Sequence, residues 1–144
     1  MSPVYLAQTD TTVGLLSQDA SRLATIKERE PSKPFIQSFD TLKRFTKMGG
    51  RVPNTHKNRL RRAVQTTFVI KGSAIRIVSE GPHHKLLKKY GWFYTTSANA
   101  RGKGFDRAFG ETHADIIVED ARGLFEGSAS TIYKINHLNI KQLR

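Results

Sequence analysis

Thr66-Thr67-Phe68-Val69-Ile70-Lys71-Gly72-Ser73-Ala74-Ile75-Arg76-Ile77-Val78 places two β-branched, apolar runs on either side of a glycine-containing break. Stiff, branched side chains suit a pleated surface, and Lys71-Gly72-Ser73 supplies turn residues, so the stretch predicts an antiparallel hairpin. Alternation along its second strand puts Arg76 on one face with Ala74 and Val78, opposite Ile75 and Ile77. A guanidinium in that position calls for an anion or an opening to solvent, because a charge buried with neither is costly.

Outward from the hairpin, strands and helices alternate. Val4-Tyr5-Leu6-Ala7 reads as a short strand that stops at the polar loop Gln8-Thr9-Asp10-Thr11-Thr12, and Gly14 allows the chain to turn. Ser17 or Asp19 is placed to cap a helix through Lys27 that turns Leu23 and Ile26 inward. Phe35-Ile36 reads as a further short strand, and Asp40 as the cap of a helix through Met48 that stops at Gly49-Gly50. Residues 51–62 read as a basic loop or a short helix without a clear apolar face. Downstream, Pro82 opens a helix through Lys89, Trp92-Phe93-Tyr94-Thr95 forms a strand, and Asp106 to Gly110 a short helix. Asp115-Ile116-Ile117-Val118 and Thr131-Ile132-Tyr133-Lys134-Ile135 are two more strands, joined through the glycine-punctuated loop Arg122 to Gly127. This order predicts an α/β protein, and the length of 144 residues predicts a single domain over 1–144.

In α/β sheets ligands collect where strands end in polar loops. Four segments fit that description: Thr9 to Thr12, Thr95 to Asn99, Gly127 to Thr131, and the basic turn Lys27-Glu28-Arg29-Glu30-Pro31-Ser32-Lys33-Pro34. In the basic turn Lys27 and Arg29 would point about 200° apart on a regular helix, so they share a target only if the helix ends there. Pro31 and Pro34 are the residues expected to end it. A guanidinium fork with two ammonium groups on a stiffened turn suits a triphosphate. Singly, each segment also reads as ordinary turn chemistry or a solvated charged surface.

Composition narrows the choice further. Twenty-four Lys and Arg against twelve Asp and Glu give a net charge of +12. Ten of those cations (Lys43, Arg44, Lys47, Arg51, Lys57, Arg59, Arg61, Arg62, Lys71, Arg76) lie between Thr41 and Ser79, where there is no carboxylate. Such a surface draws polyanions such as RNA or nucleotides by long-range attraction and counterion release. With no cysteine there is no thiol nucleophile or disulfide, and the five histidines show no metal-ligand spacing, so any metal is expected to arrive with a nucleotide. No apolar run approaches the roughly 20 residues of a membrane span, and Met1-Ser2-Pro3-Val4-Tyr5 lacks the layout of a signal peptide. A cytoplasmic location without membrane partners is the expectation.

The order of these segments resembles the YrdC family of threonylcarbamoyl-AMP synthases from about Tyr5 to Arg144. The family's Pro-Thr-Asp/Glu-Thr-x-x-Gly-Leu loop is matched by Gln8-Thr9-Asp10-Thr11-Thr12-Val13-Gly14-Leu15, and its Lys-x-Arg-Pro segment by Lys27 through Phe35. Its central-strand Arg resembles Arg76, its Thr-Ser-Ala-Asn is Thr96-Ser97-Ala98-Asn99 with Gly102 following, and its Ser-Thr-Val/Ile strand is Ser130-Thr131-Ile132. The closing Ile/Leu-Arg corresponds to Leu143-Arg144. Departures are Gln8 for Pro, Glu28 for Gly and Glu30 for Pro, together with shorter segments between Gly14 and Lys27 and before Arg76.

The resemblance implies a twisted, open, mixed sheet with flanking helices around a basic concave cleft. It implies a nucleotidyltransferase that uses L-threonine, bicarbonate or CO2, and ATP with Mg2+, releases pyrophosphate, and hands its product to a downstream tRNA-modification enzyme. By position, Thr11, Arg76, Thr96 and Ser130 would hold threonine. Lys27, Arg29, Lys33, Ser97, Ala98, Asn99 and Arg144 would hold the nucleotide, with Lys27 and Arg29 acting on the reacting phosphate. The competing expectation is a non-catalytic RNA- or nucleotide-binding paralogue of the same fold, supported by the Thr41 to Ser79 block; as a synthase the chain is expected to bind tRNA or double-stranded RNA only weakly.

Overall fold

The computed structural model describes residues 2–30 and 32–144. In chain order its strands are β1 (Tyr5–Gln8), β2 (Val13–Ser17), β3 (Ile36–Phe39), β4 (Thr66–Ile70), β5 (Ser73–Ile77), β6 (Trp92–Ser97), β7 (Ile116–Val118), β8 (Thr131–Ile135) and β9 (Ile140–Gln142). The helices are α1 (Ala20–Ile26), α2 (Leu42–Lys47), α3 (Lys57–Arg62), α4 (Pro82–Tyr90) and α5 (Arg107–His113), with a 3-10 turn at Asn54–His56. The chain contributes to two compact units: residues up to Phe35 with Phe93–Ser128, and Ile36–Trp92 with Ala129–Arg144. Strands and helices share each unit, which is the α/β class expected. Among the described residues no helix is long and apolar enough to cross a membrane.

In the first unit the strand order is β7-β1-β2-β6. β1 runs antiparallel to β2 and parallel to β7, and β2 antiparallel to β6, so the sheet is mixed. Val4, Leu6, Val13, Leu15, Leu23, Ala24, Phe35 and Ala98 form its core. The Asp115 carboxylate accepts from Val4 N at 2.8 Å and from the Arg22 guanidinium at 2.5 Å, tying the start of β1 to α1. That guanidinium holds the carboxyl below its ordinary range. Gly14 does not make a turn, as its sequence neighbours suggested; it lies inside β2. Its lack of a side chain serves close approach, since a Cβ there would lie 3.1 Å from Thr96 O and 3.3 Å from Thr9 Cγ2.

The second unit is built on the predicted hairpin. Its order is β3-β5-β4-β8-β9, with β3/β5 and β4/β8 parallel and β4/β5 and β8/β9 antiparallel. The hairpin loop is two residues: Ile70 pairs with Ser73, and Lys71 (φ 49°) and Gly72 (φ 82°) both take the positive φ that matches strand twist. Phe39, Leu42, Leu60, Phe68, Ile75, Ile77 and Ile135 are buried around it. Residues 51–62 do fold as short helical turns, anchored by the fully buried Leu60. The cap of α2 is Thr41, whose hydroxyl accepts from Arg44 N at 3.1 Å. Asp40 is instead buried and accepts from Arg44 Nε at 2.7 Å and Nη2 at 3.2 Å. β3 begins at Ile36 and leaves Phe35 as a core residue, while β9 was not expected.

How α1 ends decides where the basic turn points. Asp19 caps its start, accepting from Ser21 N at 3.0 Å. At its end Lys27 is the C-cap, Glu28 N donates to Thr25 O at 3.2 Å, and Arg29 N donates to Ala24 O at 2.9 Å. This is the paired closure of a Schellman motif, with Glu28 at φ 50° in the left-handed position that glycine usually fills. The helix therefore stops by this left-handed turn at Glu28, ahead of the prolines expected to stop it; Pro31 lies outside the described residues. Left-handed backbone costs a non-glycine residue about 1–2 kcal/mol, partly offset by its smaller loss of unfolded-chain entropy. A Glu28→Gly variant is expected to gain roughly 0.5–1 kcal/mol and raise Tm by about 2–4 °C in a thermal melt. An unchanged or lower Tm would mean the strain is absent.

Candidate functional site

In the first unit, antiparallel pairing of β2 with β6 sets Leu15 beside Thr96 and Gly14 beside Ser97. The next residue, Ala98, is buried and its N–H donates to Val13 O at 3.1 Å, so the chain after β6 folds down against the sheet. Asn99 then faces the end of α1. Lys27 Nζ donates to Ser97 O at 3.0 Å, Asn99 O at 2.5 Å and Asn99 Oδ1 at 2.9 Å. Asn99 Oδ1 also accepts from Ser97 Oγ, and Asn99 Nδ2 donates to Lys103 O. All three ammonium protons thus meet neutral oxygens. Burial pushes the Lys27 ammonium below its usual range, and the neighbouring Arg29 charge adds to the effect. Both causes would be relieved by an anion.

Arg29 lies at the same turn. Its Nη2 donates to Pro34 O at 3.0 Å, and its guanidinium sits 4.5 Å from the centroid of the buried Phe35 ring. Such a stacked plane is held in orientation while its remaining N–H groups stay available. Lys27, Arg29, Lys33, Thr96, Ser97 and Asn99 line one cavity of about 980 Å³, together with Glu28, Glu30, Arg101 and Gly102. Four cations and two carboxylates give it a net positive lining. Arg101 was missed from the sequence, although a cation two residues past Thr-Ser-Ala-Asn was a readable signal. Ala98 contributes packing, with its side chain in the core.

The loop before β2 is built from its own hydroxyls. Thr9 Oγ1 donates to Thr12 O at 2.5 Å and accepts from Thr11 N at 3.2 Å, and it lies 3.2 Å from Thr11 Oγ1. Residues 120–127 clamp it: Gln8 Oε1 accepts from Phe125 N at 2.8 Å, and Thr12 Oγ1 accepts from Gly127 N at 3.0 Å. Gln8, standing where the resembled family has Pro, supplies one of these clamps. A Cβ on Gly127 would fall 1.9 Å from Thr11 O, so Gly127 is a packing glycine. Thr11 does not line the cavity at Lys27.

In the second unit Arg76 is 4% exposed on β5, in register with the fully buried Ser38 of β3. Ser130 Oγ lies 2.7 Å from Thr67 Oγ1, both buried. Arg144 Nε donates to Ser130 O at 2.8 Å, and its Nη2 donates to Ser130 Oγ at 3.1 Å. Ser130 and Arg144, expected on threonine and nucleotide respectively, touch each other.

No protein-family model matches the chain. It is 33% identical over 100 residues to the uncharacterized protein MG259 homolog of Mycoplasma pneumoniae, covering 69% of this chain and 21% of that protein. Two structures of Sua5 from P. abyssi, the second in complex with L-threonine, superpose with TM-scores of 0.78 and 0.75 at 17% and 16% identity. They cover 99% of this chain and 49% and 50% of Sua5. YciO of E. coli superposes with a TM-score of 0.74 at 14% identity, over 99% of this chain and 82% of YciO. The chain therefore has the YrdC-like fold expected from its sequence. It spans about a fifth of the Mycoplasma relative and about half of Sua5.

Replacing Lys27 with Met keeps the apolar stem and removes the donor for three oxygens. The expected loss is about 1–3 kcal/mol in urea unfolding. It should be accompanied by faster amide exchange from Asn99 to Lys103, and unchanged exchange there would deny Lys27 its role in holding the segment.

Proposed function

We propose that the chain is a threonylcarbamoyl-AMP synthase. The observation that carries this reading is the convergence of Lys27, Arg29, Lys33 and Arg101 with Ser97 and Asn99 on one cavity, in a fold shared with a protein solved with L-threonine. In the proposed reaction the threonine amine nitrogen adds to the carbon of CO2 and releases a proton, giving a carbamate. A carbamate oxygen then attacks the α-phosphorus of ATP; its α–β phosphoanhydride bond breaks and pyrophosphate leaves. Arg29 would bind and orient the phosphates, and Lys27, held in place by Ser97 and Asn99, would act through its positive charge to stabilise the charge that builds on the phosphate oxygens. Arg76 would pair with the threonine carboxylate; Thr11, Thr96 and Ser130 are further residues proposed for the amino acid, and Lys33 and Arg144 for the nucleotide.

Among the described residues no group of three or more His, Asp or Glu side chains could hold a metal by itself. The cavity does contain Glu28 and Glu30, which suits an ion held mainly by phosphates with carboxylates nearby. Bound that way, Mg2+ would neutralise phosphate charge. The product would pass to a tRNA-modifying enzyme, in the cytoplasm.

The deciding measurement is pyrophosphate release from ATP, which should require both threonine and bicarbonate. Arg29→Ala should weaken ATP binding by about tenfold or more in calorimetry, from loss of charge-assisted hydrogen bonds. Arg76→Lys keeps the charge and loses the fork, so threonine affinity should fall more than ATP affinity. Equal losses, or none, would remove Arg76 from the threonine site.

A second reading, an RNA-binding paralogue without catalysis, is favoured by one observation. Lys43, Arg44, Lys47, Arg51, Arg59, Arg61, Arg62 and Lys71 are all exposed in a segment free of carboxylates. Under the synthase reading tRNA binding is weak and salt-sensitive, and replacing Arg59, Arg61 and Arg62 with Gln flattens its salt slope while pyrophosphate release survives. Tight, salt-resistant tRNA binding without threonine-dependent pyrophosphate release would favour the paralogue.

A further inference from the structure

The second unit has a cavity of about 480 Å³ whose lining includes none of the residues around Lys27. Three of its lining residues are cations: Lys43 from α2, and Lys57 and Arg61 from α3. Thr46 and Ser79 add hydroxyls from α2 and from the chain just past β5. The spacings explain the convergence. Lys57 and Arg61 are four residues apart and Lys43 and Thr46 three apart, so each pair shares one helix face. Arg61 Nη1 donates to Asn58 Oδ1 at 3.0 Å, which fixes the guanidinium and leaves its other N–H groups for a ligand.

No carboxylate answers this charge. None lines the cavity, none occurs between Thr41 and Ser79, and Lys43, Lys57 and Arg61 are in no ion pair among the described residues. Like charges at i and i+4 disfavour a six-residue helix such as α3, and a bound anion would reverse that cost. Ser79 is exposed, and its hydroxyl makes no hydrogen bond among the described residues. A tetrahedral phosphoryl group offers several oxygens in different directions, matching donors that arrive from α2, α3 and the end of β5.

We propose that this cavity binds a compact phosphoryl dianion, inorganic phosphate or a phosphate monoester, held by Lys43, Lys57 and Arg61 with Ser79 as a hydroxyl donor. The site is independent of the synthase reading, because it uses none of the residues assigned to ATP or threonine.

The test is a titration of the full chain with inorganic phosphate at constant ionic strength, followed by amide NMR shifts, with chloride as the control anion. Saturable shifts are expected around Lys43, Lys57 to Arg61 and Ser79. The Lys57→Gln/Arg61→Gln variant should lose about tenfold or more in affinity there, while the response at Ser97 and Asn99 is unchanged. Lys43→Gln, on the other helix, should show a loss in the same direction, and it carries the test should the double variant unfold α3. Shifts that rise linearly, are reproduced by chloride, or saturate equally in all variants would overturn the proposal. A single-stranded RNA of about twelve nucleotides forms the second arm. If the variants weaken RNA binding while phosphate never saturates, the cavity reads a polymer backbone and the compact-ligand assignment falls.

Discussion

Lys27 Nζ is the point on which the first unit's cavity depends. Its three donors join the end of α1 to Ser97 and Asn99, residues 70 and 72 positions away. The bonds are possible only because α1 closes in a left-handed turn at Glu28, leaving Lys27 as the C-cap. A further helical turn would carry Lys27 and Arg29 to opposite sides. The arrangement is electrostatically incomplete, since an ammonium partly removed from water faces neutral oxygens with a guanidinium nearby. Phosphate oxygens would offset both the burial and the repulsion, which is why the cavity suits a nucleotide better than a neutral ligand.

Charge is handled differently in the two units. In the first, cations are tempered by acidic partners: Arg22 by Asp115, Arg107 by Glu111 and Glu119, Arg122 by Asp120, with Glu28 and Glu30 at the cavity itself. In the second, Arg44 is paired with Asp40, which lies just outside the carboxylate-free block. Apart from the buried Arg76, the cations of that block lie on the surface or around a small cavity, conditions that favour phosphate-bearing ligands. Exposed charge alone gives salt-sensitive, unselective attraction; convergence on a cavity is what allows selection of a particular anion.

Several features were legible because their signals are local. Two β-branched runs around Lys71-Gly72 specify a hairpin wherever they are placed, and Asp19, Pro82 and Asp106 start their helices by chemistry within a few residues. Thr-Ser-Ala-Asn, Lys27 and Arg29 were recognisable as one set through the resemblance, and Lys33 with them. Legibility failed where two local signals competed. Asp40 and Thr41 are both good caps; Arg44 takes the Asp40 carboxylate, so Thr41 caps α2. Glu28 gave no sign of a left-handed turn, because the residue that normally announces one is glycine.

By itself, then, the sequence determined the α/β class, the hairpin, most helix starts and the chemical character of the basic turn, since these rest on backbone preferences and neighbouring side chains. Only tertiary structure decided that Gly14 lies within a strand under Thr96, that Gly127 packs on Thr11, and that Ser130 joins Thr67 and Arg144. It likewise made Ala98 a core residue and brought Arg101 to the cavity. Contacts of this kind link residues far apart in the chain, Ser130 and Thr67 being 63 positions from one another, and they exist only once strand order and register are set. That order is a property of the assembled sheet, and a short stretch of residues does not carry it.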